Sequence, residues 1–121
     1  MTVHSQLKLA VQAHQQGQSE KARIIYQQIL KESPRQAEAL HYLGLLNAQD
    51  GQIKSGIELM LQALKIQPQN VSFLNNLGNL YRDLGQYQAA LTCFSEILKR
   101  QANDADVLSN RALVWLALGQ P

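Results

Sequence analysis

The stretch Leu74-Asn75-Asn76-Leu77-Gly78-Asn79-Leu80-Tyr81, followed by Gly85, Ala90 and Phe94, decides how this chain is read. Apolar residues three and four apart give it the period of a helix, and Gly85 separates one helical run from the next. Moving back 34 positions, much of it recurs as Leu40, Leu43-Gly44, Gly51, Gly56 and Met60. The turn glycines fix the period: Gly17, Gly51, Gly85 and Gly119 are each 34 apart (51−17, 85−51, 119−85), as are Pro34 and Pro68. A fixed period of about 20–50 residues marks a stacked repeat architecture.

The pattern Leu74-x2-Leu77-Gly78-x2-Tyr81, then Ala90-x3-Phe94, resembles the tetratricopeptide repeat (TPR), a helix–turn–helix unit of about 34 residues. The resemblance implies an all-α fold, a right-handed superhelical solenoid of stacked antiparallel helix pairs with seven helices. One domain is expected over residues 1–121, with repeats at about 3–36, 37–70 and 71–104 and a half repeat at 105–121. The copies are unequal. Leu40 and Leu74 stand where the family usually has tryptophan. The second copy has Asn47 for the tyrosine, Gly56 for the alanine and Met60 for the phenylalanine. The first has Ala10 in place of the helix glycine, and the third lacks a closing proline at Ala102.

Composition narrows the function classes. With 45% hydrophobic residues the chain can build a continuous core, yet no apolar run approaches the roughly 18 residues of a membrane span. The opening Met1-Thr2-Val3-His4-Ser5-Gln6 lacks the basic-then-apolar layout of a signal peptide. A single cysteine, Cys93, excludes an internal disulfide and fits a reducing compartment, so a cytoplasmic location is expected. The net charge of +2 is spread along the second helices, without the dense basic patch that nucleic-acid binding needs.

Individual elements follow from local signals. The first helix is expected from about Val3 to Gln16, with Leu7, Ala10, Val11 and His14 at helical spacing. Gly17 ends it, and Ser19 is placed to cap the next helix. Pro34 and Pro68 stop the helices before them. Gly44 sits inside a helix, where glycine costs about 1 kcal/mol against alanine, so close helix packing is its expected reason. Asn103-Asp104 supplies a cap for the last helix, whose Leu108, Ala112, Trp115 and Leu118 form an apolar stripe. That stripe reads as the edge of a piece cut from a longer array. The alternative is a homodimer through the C-terminal helix, with Leu108, Trp115 and Leu118 at the contact.

Catalysis finds little support. The histidines His4, His14 and His41 form no metal-binding motif, there are no paired cysteines, and no glycine loop is built to cradle a phosphate. No catalytic residue, metal site or cofactor is expected. Cys93 reads as a small packed side chain rather than a nucleophile.

The resemblance places six positions of each first helix on an inner groove. In the third repeat these are Ser72, Asn75, Asn76, Asn79, Arg82 and Asp83. In the fourth they are Asp106, Ser109, Asn110, Leu113, Leu116 and Ala117. In the second they are Glu38, His41, Tyr42, Leu45, Ala48 and Gln49, and in the first His4, Leu7, Lys8, Val11, His14 and Gln15. Asparagine is a mediocre helix former, so the run on this helix face asks for another reason. Its amide both donates and accepts, which suits the backbone of an extended peptide. The expected partner is thus a protein or peptide, held by His41, Leu45, Ser72, Asn75, Asn76, Asn79, Arg82, Asp83 and Asn110. Asn76 and Asn110, 34 apart, are expected to stack as a ladder, and the groove is more apolar at Leu7, Val11 and Leu45.

Two subclasses separate on these positions. TPR domains that hold the acidic tails of chaperones use a clamp of Lys, Asn, Asn, Lys and Arg, and at those positions this chain has Leu7, Val11, Tyr42, Ser72 and Asn76, or His41, Leu45, Asn76, Asp106 and Asn110. The missing donors argue against carboxylate binding of that kind. The stretches Leu40–Leu46 and Asn75–Asn79 resemble the arrays at the front of bacterial O-linked N-acetylglucosamine transferase-like proteins. There an asparagine ladder holds substrate peptide. Asn76 and Asn110 match it, whereas Lys8 and Tyr42 break it. A substrate-docking region of a larger transferase, inert alone, is therefore the alternative to a free-standing interaction module.

Overall fold

A computed structural model describes residues 1–119; the last two positions of the expected half repeat lie outside the described residues. Seven α-helices are present among them: α1 (Val3–Gln15), α2 (Ser19–Glu32), α3 (Ala37–Gln49), α4 (Ile53–Ile66), α5 (Val71–Leu84), α6 (Tyr87–Leu98) and α7 (Ala105–Ala117). No strand occurs among the described residues. The chain divides into two compact units, Met1–Pro68 and Gln69–Pro121.

First and second helices of a repeat start by different means. Each first helix has a side-chain cap. Thr2, Gln36, Asn70 and Asp104 accept the backbone N–H of Ser5, Ala39, Phe73 and Val107. The second helices have none, because the turn before them is closed by backbone alone. Gly17, Gly51 and Gly85 take φ of 77°, 89° and 86°. Such left-handed backbone is nearly free for glycine alone, and it lets the next N–H reach back. Gln18, Gln52 and Gln86 accordingly donate to the carbonyls of Ala13, Asn47 and Tyr81 at 2.8 Å. Ser19 is therefore not the expected cap; it is the first residue of α2, and the glycine turn does the work assigned to it.

In the first unit α1 packs on α2, α2 on α3 and α3 on α4. Leu7, Ala10, Ala22, Tyr26, Ile29, Ala39, Leu43 and Leu46 form one buried cluster. The α3–α4 contact runs backbone to backbone. A Cβ on Gly44 would lie 2.8 Å from the Gly56 carbonyl oxygen, and one on Gly56 would lie 2.5 Å from that of Gly44. The departures of the second copy thus compensate one another. Gly56 lets the helices close, and the flexible Met60 fills the space beside them, fully buried.

Asn47, the other departure, joins a polar bridge. The guanidinium of Arg23 on α2 is bonded to Asn47 and to Asp50 beyond the end of α3, and its Nε donates to Glu20 at 3.2 Å. Asn47 passes the link on, donating from Nδ2 to Ser55 Oγ on α4 at 3.1 Å. The Arg23 side chain keeps only 16% of its surface exposed, and of its partners Asn47 is the half-buried one, whereas Glu20 and Asp50 are open to solvent.

In the second unit α5 packs on α6 and α6 on α7. Gly78 meets a ring rather than a backbone: a Cβ there would lie 2.5 Å from Phe94 Cε1. Phe94, Ile97 and Val114 are fully buried.

Two outcomes follow. Gly56→Ala restores the residue usual for the family and gains about 1 kcal/mol in helix propensity, but it drives a methyl into a carbonyl. Overpacking of about 1–3 kcal/mol should prevail, so the urea midpoint should fall; an unchanged or higher midpoint would refute the backbone approach. Arg23→Ala removes the donor to the half-buried Asn47 and should lower stability by about 0.5–1.5 kcal/mol, read in the same titration.

Candidate functional site

The polar residues of α5 occupy one side of the helix. At 3.6 residues per turn, Ser72, Asn75, Asn76, Asn79, Arg82 and Asp83 fall within an arc of about 120°, opposite Leu74, Leu77 and Tyr81. Ser72 and Asp83 are exposed, and Asn75, Asn76, Asn79 and Arg82 are half-buried. Asn110 on α7 also stands half-buried, and its Nδ2 donates to Asn75 Oδ1 at 2.9 Å. The amide pair in contact is therefore Asn75 with Asn110. The two are 35 apart in sequence, one more than the repeat length. One donor amide on Asn75 and one acceptor oxygen on Asn110 remain outside that bond.

Next to this pair lie further polar groups. Asn79 Oδ1 and Arg82 Nη1 are buried without a hydrogen-bond partner among the described residues. Arg82 Nε is 3.7 Å from Asp83 Oδ1, too long for a hydrogen bond of full strength. Arg111 on α7 lays its guanidinium over the Trp115 ring, 4.4 Å from the centroid, a cation–π contact. Of the residues expected at a self-association edge, Leu108 is 37% exposed, whereas Trp115 and Leu118 are half-buried. More open are Leu113 at 49% and Leu116 at 70%.

The first unit has its own inner face. A hollow of about 440 Å³ is lined by His4, Leu7, Lys8, Val11, Gln12 and Gln15 of α1 and by Glu38 and Tyr42 of α3. The Tyr42 ring stacks on Tyr26 at 5.8 Å and 14°. Leu45 is half-buried, and His14 Nε2 is bonded to Gln49 Oε1 at 3.0 Å. A second hollow, about 630 Å³, lies at the loop end of the unit among Ser33, Pro34, Arg35, Gln36, Ala37 and Gln67.

His41 does not line a surface. It is 3% exposed and meets the Tyr42 ring edge-on at 5.0 Å. Burial disfavours its charged form and pushes its pKa down to about 4. Position counting put His41 beside Leu45, but it cannot show how far α3 is turned toward its neighbours. Tyr42, which is not among the residues expected to hold a peptide, lines the hollow between α1 and α3. It stacks on Tyr26, a pairing that exists only once α2 and α3 are packed together.

Cys93 is buried, and burial pushes its thiol up to about 11, so it is no thiolate near neutral pH. Among the described residues no three side chains converge that could hold a metal ion. No helix among them is long and apolar enough to cross a membrane.

Comparison with known proteins follows the repeat. Two family models described as tetratricopeptide repeat match the chain, one over residues 7–71 and one over residues 59–92. The chain belongs to the tetratricopeptide-repeat family. No curated protein matches it. Among solved structures, one from a functional characterisation of Pseudomonas aeruginosa pilF is similar at 23% identity and TM-score 0.90, over 98% of this chain and 54% of that one. A mutant O-GlcNAc transferase of Thermobaculum terrenum is similar at 25% identity and TM-score 0.86, over 95% of this chain and 23% of the other. A tetratricopeptide repeat protein from Parabacteroides merdae gives 19% and 0.84, over 96% and 46%. This TPR chain thus spans about half or less of the length of these three.

The buried His41 has a consequence for pH. Its folded pKa lies below the ordinary 6.5, so the unfolded chain binds the proton first. The stability it confers is present above about pH 6.5 and is lost as pH falls toward 4, by up to about 3 kcal/mol. Urea titrations between pH 7 and 4.5 should show this slope, and His41→Leu should remove most of it.

Proposed function

We propose that this TPR chain is a non-catalytic interaction module that holds an extended peptide on the inner faces of its first helices. The observation that carries the reading is the Asn75–Asn110 pair, bonded to each other at 2.9 Å. Their remaining amide hydrogens and oxygen match the carbonyl and N–H of a peptide unit, whatever its side chains. Asn79 Oδ1 and Arg82 Nη1, buried and unpaired, extend the same demand along α5, since a buried polar group without a partner is costly. Asn76, Ser72 and Asp83 border this stripe on α5. Backbone recognition with apolar anchors is a recurring mode of peptide capture.

A second reading is favoured by the likeness to the Thermobaculum terrenum O-GlcNAc transferase, which this chain matches over 23% of that protein's length. The chain would then be the substrate-docking region of a larger transferase, inert alone. A glycosyltransferase domain encoded after Pro121 favours it, and further repeats or a stop codon favour the free-standing module.

The test is retention of partners from the host lysate by the wild type beside Asn75→Ala/Asn79→Ala/Asn110→Ala, read by mass spectrometry. Proteins held by the wild type should be depleted about tenfold or more on the variant, since losing several buried polar contacts costs over 1 kcal/mol. Equal retention by both would move the site away from α5 and α7.

A further inference from the structure

The hollow between α1 and α3 has a composition the asparagine stripe lacks. Its lining includes the buried Leu7 and the half-buried Val11 and Tyr42, the last held by its stack on Tyr26. Lys8 of α1 and Glu38 of α3 also line it, and both are exposed. Neither has an ion-pair partner among the described residues. Gln12 and Gln15 add neutral amides. A volume of about 440 Å³ is at the small end of ligand-sized cavities, enough for one large side chain and its flanking backbone.

We infer that this hollow seats one aromatic or large aliphatic side chain of an extended peptide, flanked by an acidic residue facing Lys8 and a basic residue facing Glu38. The inference rests on the peptide-holding reading above and names the anchor that the first unit supplies. Charge decides the occupant. The cation on α1 and the anion on α3 cancel, so a partner of one sign gains on one helix what it loses on the other. A partner carrying both signs around an apolar centre satisfies each. The tyrosine stack gives the anchor a wall already fixed in place, which lowers the entropy cost of binding.

The probe is a synthetic heptapeptide with glutamate–phenylalanine–lysine at its centre and glycine and serine on either side, titrated into the ¹⁵N-labelled full chain. Amide shifts should gather at Lys8, Val11, Gln12 and Tyr42. Replacing the phenylalanine by alanine should weaken binding about tenfold, the usual loss for a central anchor. Doubly acidic and doubly basic versions should each bind more weakly than the mixed one. Lys8→Glu leaves two anions on the lining and should transfer preference to the doubly basic peptide, while Val11→Asp should abolish the shifts with the spectrum still dispersed. Lys8→Glu keeps the test decisive if Val11→Asp unfolds. Equal binding of the alanine peptide, absence of shifts, or shifts that track protein concentration alone (a second copy filling the hollow) would each overturn the inference. Asn75→Ala/Asn110→Ala should leave this short peptide unaffected, so failure here and failure of the asparagine reading are separate results.

Discussion

The close approach of paired helices is the constraint on which the rest depends. In the second repeat the approach is backbone against backbone, with Gly44 and Gly56 facing each other's carbonyls. In the third, Gly78 receives the edge of the buried Phe94 ring. Removing a side chain on one helix lets the other come near enough to exclude water, and interiors packed at crystal-like density tolerate little change there. The two repeats reach the same end with different residues. The second trades the alanine and phenylalanine of the pattern for glycine and methionine.

Once a pair is closed, the apolar side of each helix is spent inward and the opposite side is left for other uses. On α5 that side carries asparagines and an arginine; on α1 and α3 it carries an apolar hollow with opposed charges. These surfaces differ in what they can recognise. In the proposed reading, the amides hold a peptide backbone without regard to sequence, whereas the hollow with Tyr42, Lys8 and Glu38 in its lining selects among side chains. Arg23, bridging α2 to Asn47 and Asp50 and through Asn47 to Ser55, ties the elements behind the hollow.

The sequence by itself determined the repeat. Four glycines at a spacing of 34, the two prolines and the apolar spacing of each helix gave seven helices with nearly the observed bounds, because turns and helix ends are set by local backbone chemistry. It also identified Gly44 as a packing residue, since glycine inside a helix needs such a reason. What it could not supply was rotation and partnership. His41 and Leu45 lie one turn apart on α3, yet one is buried and the other half-exposed, which depends on how α3 turns toward its neighbours. Asn110 is bonded to Asn75, a spacing of 35 rather than the repeat's 34, because the register between two first helices is set by packing and not by the repeat length. Gly56, Met60 and Asn47 read singly as departures from a pattern. Only the tertiary structure joins them to Gly44 and Arg23, because the contacts that make them consistent lie between helices, where a side chain's neighbours are decided by volume and hydrogen bonding rather than by order along the chain.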